Sequence, residues 1–306
     1  MKRRFVRLIG VILICAGLLL SAGCDLAELL ESGRTAAVEV EGKLSALFLD
    51  VGQADSTLLA FPDGRHMLID GGNNNDGEKI CDYLDQAGIT RLDFLVATHP
   101  HEDHIGGLDV VIGRFDIGKI YVPRLDGASV PTTRTYEDFL QAVADKGYKL
   151  TAAKAGDLLL DEAGVRVEVL SPARDKYKEL NNYSIVLRIS FGRSSWLFTG
   201  DAEALCEEEM LDAGYTLTAD LLKVGHHGSR SSSSEAFIKA VGPEFAVISC
   251  GAGNSYGHPH QETLGTLEAA GVSIWRTDAD GSVRAISDGS STVVTAEPSV
   301  VCDGGR

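Results

Sequence analysis

Cysteine pairs in C-x-x-C spacing are absent from this chain, although cysteines stand at 15, 24, 81, 206, 250 and 302. That excludes a cysteine-built zinc ribbon or finger. Basic residues are scarce. Lys and Arg number 28 against 44 Asp and Glu, a formal charge of −16. A track for long nucleic acid needs a basic stripe, so sequence-independent binding of a long polyanion is not expected. No apolar run reaches the ~20 residues of a membrane-spanning helix. There is no internal repeat, and the only low-complexity stretch is the serine run 231–234. Finally, no histidine lies between His104 and His226, which limits where metal ligands can come from.

The first residues carry a processing pattern. Lys2, Arg3, Arg4 and Arg7 form a basic stretch, and 8–20 is an apolar run too short to span a membrane. Ser21-Ala22-Gly23-Cys24 follows, resembling a bacterial lipobox. We expect a signal peptide over 1–24 with lipid on Cys24, a tether over 25–42, a folded domain over 43–296 and a tail over 297–306. The domain would be exported and held at the outer face of the cell membrane. Removing those four basic residues leaves 24 basic against 44 acidic side chains, a balance of −20. Such acidity suits a soluble extracellular surface. Export permits disulfides, but Cys81, Cys206, Cys250 and Cys302 allow three pairings, and buried thiols are expected as readily as bridges.

Strands and helices alternate through the domain. The patterns 44–50, 56–61 and 66–69 read as strands, with a turn at Pro62-Asp63-Gly64. A helix is expected over 76–86, ended by Gly88, and a buried strand over 92–97. Helical spacing covers 136–146, and 165–169 alternates as a strand. The second half continues with strands at 184–191, 195–198, 221–224 and 245–249. Helices are expected at 203–211, 235–241 and 263–270, and 274–277 and 282–286 are expected to close that sheet. Trp196 and Trp275 read as core. The pattern implies two sheets packed face to face with helices outside.

The densest chemistry is Thr98-His99-Pro100-His101-Glu102-Asp103-His104, directly after the strand 92–97. Strand ends are where α/β folds place ligands. Imidazole nitrogen and carboxylate oxygen suit Zn²⁺, Mn²⁺ or Fe. Four candidate ligands on one loop can serve two ions, and a pair can activate water and clamp an ester. The remaining ligands must come from the second half. Trp196-Leu197-Phe198-Thr199-Gly200-Asp201 delivers a carboxylate that can bridge two metals. The segment 221–229 delivers His226 and His227 at a strand end, and Gly257-His258-Pro259 follows another.

These motifs resemble the metallo-β-lactamase superfamily. The finer likeness is to the hydrolase domain of ComEC competence proteins. It is carried by Asp50-Val51-Gly52-Gln53-Ala54-Asp55-Ser56, Leu68-Ile69-Asp70-Gly71-Gly72, Asn181-Asn182-Tyr183-Ser184, Leu222-Lys223-Val224-Gly225-His226-His227-Gly228-Ser229 and Gly257-His258-Pro259. The resemblance covers roughly 44–288 and implies an α/β fold, a four-layer αββα sandwich with a dinuclear site at its edge. It implies His99, His101 and one of the pair His226/His227 on one ion, with His227 preferred. Asp103, His104 and His258 would hold the second, with Asp201 bridging. Asp103, His226, Ser229 and Asn182 are expected at the chemistry, binding phosphoryl oxygens or moving a proton. Asp50 and Asp70 are candidates to orient ligand histidines. His66 reads as a surface residue, and His260 opens a helix near the site.

Two departures qualify the likeness. β-Lactamases have a further histidine ligand in the gap after His104, which makes β-lactamase activity less expected here. Ala54 stands where the ComEC pattern has glycine. No counterpart of the competence membrane channel is present, so DNA import by this chain alone is not expected. The expected activity is hydrolysis of phosphodiesters using two divalent ions, zinc or manganese. The substrate would be nucleic acid or, given the acidity, a cell-envelope polymer. Competing readings are a lactonase or β-lactamase acting on carbon esters or amides, and a surface binding protein with a structural metal. No protein partner is implied.

Overall fold

The computed structural model describes residues 42–125 and 127–297. The expected signal peptide, the tether up to residue 41, the tail beyond Glu297, and with them Cys24 and Cys302, lie outside the described residues.

The first sheet is built in chain order from β1 (Leu44–Phe48), β2 (Thr57–Ala60), β3 (His66–Ile69), β4 (Arg91–Val96), β5 (Asp116–Pro123) and β6 (Leu150–Ala153). The second contains β7 (Leu158–Glu162), β8 (Val165–Ser171), β9 (Val186–Phe191), β10 (Ser194–Phe198), β11 (Leu221–Lys223), β12 (Phe245–Ile248) and β13 (Ser273–Arg276). The chain then returns. β14 (Val283–Ser287) pairs antiparallel with β1, and β15 (Thr292–Ala296) pairs with β14. The segment 282–286 was expected to close the second sheet beside 274–277; instead it crosses to the first. Its apolar side chains Val283 and Ala285 join the core between the sheets beside Leu44, Ala46 and Phe48.

Helices cover both outer faces. α1 (Gly77–Gln86), α2 (Glu102–Ile105), α3 (Leu108–Arg114) and α4 (Arg134–Asp145) belong to the first sheet. α5 (Ala204–Asp212), α6 (Glu235–Val241) and α7 (Gln261–Ala269) belong to the second, and α8 (Thr277–Asp280) follows β13. Three apolar layers result. Strand alternation splits β1 between two of them: Leu44, Ala46 and Phe48 face the other sheet, while Leu47 faces the helices with Ile80, Leu84 and Val111. Both faces are covered, which is why all five β1 residues are buried. Phe48 stacks on Phe198 across the sheets at 5.9 Å. A third layer packs Leu197, Leu222 and Ile248 under Cys206, Phe237 and Leu267. The architecture is the αββα sandwich. Trp196 is fully buried and Trp275 partly so. Cys81, Cys206 and Cys250 are buried free thiols.

Parallel pairing runs from β3 to β6 in one sheet and from β10 to β13 in the other. Four of these strands, β4, β10, β11 and β12, end at one edge of the sandwich and lead into the histidine- and aspartate-bearing loops.

Candidate metal centre

The first loop is locked by glycines. Past β4 the chain turns through His101 into α2, which carries Asp103 and His104. Gly71 N–H donates to the His104 carbonyl, and Gly107 N–H to the Gly71 carbonyl. A Cβ on Gly106 would lie 2.3 Å from the Asn73 carbonyl carbon, and on Gly107 2.6 Å from the Gly71 oxygen. Only glycine permits that approach. The loop after β11 uses strain instead. His226 and His227 both have left-handed backbone, φ 49° and 52°. For non-glycine residues this costs on the order of 1–3 kcal/mol each and is typical of functional sites.

Asp201 is the hub. Its Oδ2 lies 3.3 Å from His104 Nε2, 3.6 Å from His227 Nε2, and 3.8 Å from both His99 Nε2 and His226 Nε2. His227 Nε2 is 3.2 Å from Asp103 Oδ2. Ligand atoms of Asp103, His104, Asp201 and His227 all lie within 4.8 Å of one another. His99 Nε2 meets His101 Nδ1 at 3.0 Å. The His258 ring stacks 6.2 Å from His227 and stands 5.6 Å from His226.

The residues fit a metal pair. His104 Nε2, His227 Nε2 and Asp201 Oδ1 are buried and make no hydrogen bond, despite close neighbours. Orphaned buried polar atoms are costly, and several converging on one point are what a cation would satisfy. The nitrogen and oxygen donor set suits zinc and its neighbours.

An outer layer fixes the imidazoles. Asp70 Oδ2 binds His104 Nδ1 at 2.7 Å, and Asp70 accepts from the Thr98 backbone N–H and hydroxyl, both at 2.7 Å. His227 Nδ1 meets the Ser249 carbonyl at 3.0 Å, with Asp55 Oδ1 at 3.5 Å. These acceptors keep the proton on Nδ1 and aim Nε2 at the centre. Ser184 Oγ contacts His99 Nδ1 at 3.3 Å and accepts from the Asp201 N–H at 3.0 Å.

Charge in the cluster is strongly perturbed. Burial, with His104 and His101 adding to it, holds His99 well below the usual imidazole range. Burial also opposes charge on His104, yet Asp201, Asp70 and Asp103 outweigh it and raise its pKa. Burial would raise Asp201, but His104, His227 and His99 hold it well below the carboxylate range. His258 is pushed down to about 4 by burial and by His227, His226 and His260. Such perturbation marks functional sites.

Several expected residues stand elsewhere than the resemblance suggested. His227 groups with Asp103 and His104, not with His99 and His101. His226, with the same left-handed backbone, places its Nε2 3.8 Å from Asp201 Oδ2 and its ring 5.6 Å from His258. Asn182 is buried away from the site. It donates to Glu203 Oε2 at 2.9 Å and accepts from the Glu203 N–H at 3.2 Å. The short 3₁₀ turn Leu180–Tyr183 points its neighbour Asn181 outward instead, and Asn181 Nδ2 lies 3.4 Å from His226 Nε2. Ser229 also faces inward. Its Oγ accepts from Ser231 and its carbonyl from Thr263, so it anchors the turn. Asp50 touches no histidine; its Oδ1 accepts from the Gly52 N–H. Asp70 does orient one. His66 starts β3 with its N–H on Asp93, and His260 caps α7 with its ring 4.8 Å from His258.

Sequence reasoning left Gln53, Asp55, Asn181, Lys223 and Tyr256 without roles. Lys223 carried a signal: a lysine in the apolar strand 221–224 must be paired if buried. Its Nζ lies 2.7 Å from Asp55 Oδ2. The centre opens into a pocket of about 340 Å³ lined by Gln53, His101, Asn181, His226, Tyr256 and His258 among others.

Residues 49–252 match the model of the metallo-beta-lactamase superfamily. The chain is similar to ComE operon protein 3 of Bacillus subtilis, 34% identical over 77% of this chain and 32% of that protein. It is likewise similar to competence protein ComA of Neisseria gonorrhoeae, 33% identical over 80% of this chain and 32% of that protein. Recombination protein 2 of Haemophilus influenzae is 30% identical over 77% of this chain and 28% of that protein. The chain therefore spans about a third of the length of these relatives. Among solved structures, CmlA, a diiron beta-hydroxylase from Streptomyces venezuelae, is similar with a TM-score of 0.52. It is 15% identical and covers 77% of this chain and 53% of that chain, a likeness of fold alone.

Proposed function

The chain belongs to the metallo-β-lactamase superfamily, with the ComEC-like hydrolase domain as its likeness, and from that premise we propose that it is a metal-dependent phosphodiesterase. One observation carries the reading: a single carboxylate oxygen of Asp201 stands within 3.8 Å of four imidazole nitrogens. Two divalent ions, zinc or manganese, would supply Lewis acidity and a water acidified to near neutrality.

The chain's own residues do the rest. His99 and His101, joined by His226, would hold one ion. Asp103, His104 and His227 would hold the other, with Asp201 shared. His258 completes the wall beside His227. Asn181 presents an amide donor at the pocket, suited to a phosphoryl oxygen. Asp103 and His226 are partly exposed where the centre meets the pocket. The acidity of the chain, −16 overall, supports action on one phosphodiester unit at a time. We further propose that the domain works outside the cell, anchored by lipid on Cys24. Cys24→Ala would then move the chain from the membrane fraction to the soluble fraction; a chain that stays membrane-bound contradicts the anchor.

The deciding experiment compares bis-p-nitrophenyl phosphate with a chromogenic cephalosporin on metal-loaded protein, before and after a chelator. The reading expects phosphodiester turnover that the chelator abolishes and added metal restores. His101→Ala combined with Asp201→Ala is expected to reduce it to background. Turnover of the cephalosporin alone would favour the carbon-ester or amide reading. Metal content with neither activity would favour a binding protein.

A further inference from the structure

The serine run 231–234 has the composition of a solvated linker. In the fold it is packed, and each serine has a separate task. Ser232 and Ser233 are buried. Ser232 Oγ donates to the Gly225 carbonyl at 2.8 Å, which ties the run back to the residue before His226. Ser233 has left-handed backbone, φ 61°. Ser234 caps α6, its Oγ accepting from the Phe237 N–H at 3.3 Å. Ser231 Oγ lies 2.9 Å from His226 Nδ1.

One carboxylate clamps the run in this shape. Glu207 of α5 is buried, and its two oxygens accept from the Ser233 N–H and, at 2.9 Å, from the Ser234 N–H. A buried carboxylate is costly unless it is hydrogen-bonded, and a left-handed serine persists only where its surroundings fix it. Each supplies what the other needs. At the start of the same helix the Ala204 N–H donates to the Ser231 carbonyl at 2.8 Å. α5 begins three residues after Asp201. One helix therefore fixes the serine run relative to the carboxylate at the hub.

The Ser231 hydroxyl carries that fixing to the ring. Its proton goes to Ser229 Oγ at 3.1 Å, so towards His226 the oxygen accepts. An acceptor at Nδ1 keeps the proton there and leaves Nε2 to face the centre, 3.8 Å from Asp201 Oδ2. Glu203 Oε1 is farther from Nδ1, at 3.8 Å. We propose that the serine run, clamped by Glu207, is a positioning device for His226, with the Ser231 hydroxyl as its contact. This rests on the reading that His226 holds one of the two ions, and it names what sets the orientation of the ring.

Proton–nitrogen correlation NMR of the imidazole rings, on the metal-free full chain at a single pH, tests the positioning. His226→Ala assigns the signals. Ser231→Ala and Glu207→Gln are expected to shift the His226 ring nitrogens and to leave those of His66 and His104 in place. Ser231→Thr, which keeps the hydroxyl, is expected to keep the wild-type signals. A zinc competition titration gives a second readout. Ser231→Ala is expected to weaken one of the two ions about 10- to 100-fold and to spare the other, with Ser231→Thr restoring it. Glu207→Gln is expected to weaken the same ion and to add nothing in the Ser231→Ala background. Both ions weakening alike in Ser231→Ala, or losses that add, overturn the proposal, because general loosening of the fold does that. Unmoved His226 signals in Ser231→Ala overturn it as well, and the Ser231 pair decides it where Glu207→Gln fails to fold. Where His226→Ala spares both ions and the ring signals still move as expected, the positioning stands and only the assignment of His226 to an ion fails.

Discussion

Lys223 Nζ and Asp55 Oδ2 form an ion pair 2.7 Å apart, with both side chains buried, joining β11 of one sheet to the loop after β1 of the other. Asp55 Oδ1 lies 3.5 Å from His227 Nδ1. The pair thus ties the sandwich together directly behind a candidate ligand. Lys223→Met leaves the aspartate buried without its cation and is expected to cost about 3–5 kcal/mol. Replacing both, as Lys223→Met with Asp55→Leu, is expected to recover most of that. Urea unfolding of the three proteins checks this; a single variant as stable as wild type contradicts it.

Asp70 holds His104 Nδ1 at 2.7 Å and the Thr98 hydroxyl, itself 3.2 Å from His99 Nδ1, at 2.7 Å. Asp70→Asn is expected to lower metal affinity about 10- to 100-fold while the fold persists. A competition titration with a chromophoric chelator measures it. Unchanged affinity would mean that His104 needs no orienting partner.

Asn181 and Asn182 are adjacent but should behave oppositely. Asn182→Ala strands Glu203 and removes a contact to Cys206 Sγ, so the loss is expected in stability, about 1–3 kcal/mol. Asn181→Ala is expected to leave stability near wild type and to raise KM for the phosphodiester. Denaturation and steady-state kinetics on the two variants separate the roles, and the reverse pattern would contradict them.

The thiols give a pH test. Burial raises Cys81 to about 11 and Cys206 and Cys250 to about 12. The thiolate is the reactive form, so a raised pKa means less of it at any given pH below that value. Against an ordinary thiol of 9.0, the thiolate fraction at pH 8 falls about a hundredfold for Cys81 and about a thousandfold for the others. Iodoacetamide at pH 8, read by peptide mapping, should leave all three unmodified in the folded protein and label them in urea. Rapid labelling of the folded chain would contradict their burial.

The parts of the site legible in the sequence were those written as contiguous patterns at strand ends. The segment Thr98–His104 announces itself because its ligands share one loop, and Asp201, His226, His227 and His258 each follow an apolar strand. Direction was harder to read. Which of His226 and His227 faces which side depends on two consecutive left-handed residues, and residue type does not encode that. Asn181 and Asn182 are chemically identical, and a 3₁₀ turn alone decides which one reaches the pocket. The two-sheet plan followed from alternation, but the return of β14 to β1 did not. Their paired residues, such as Leu44 and Ser287, lie at opposite ends of the domain, and local pattern carries no record of that pairing.

The central claim is that Asp201 is shared by two cations gathered from both halves of the fold. Metal analysis of protein loaded with zinc or manganese and then dialysed tests it most directly, with Asp201→Ala in parallel. The account predicts two ions per chain in wild type and fewer in the variant. One ion or none in wild type, or two retained without the Asp201 carboxylate, would contradict it.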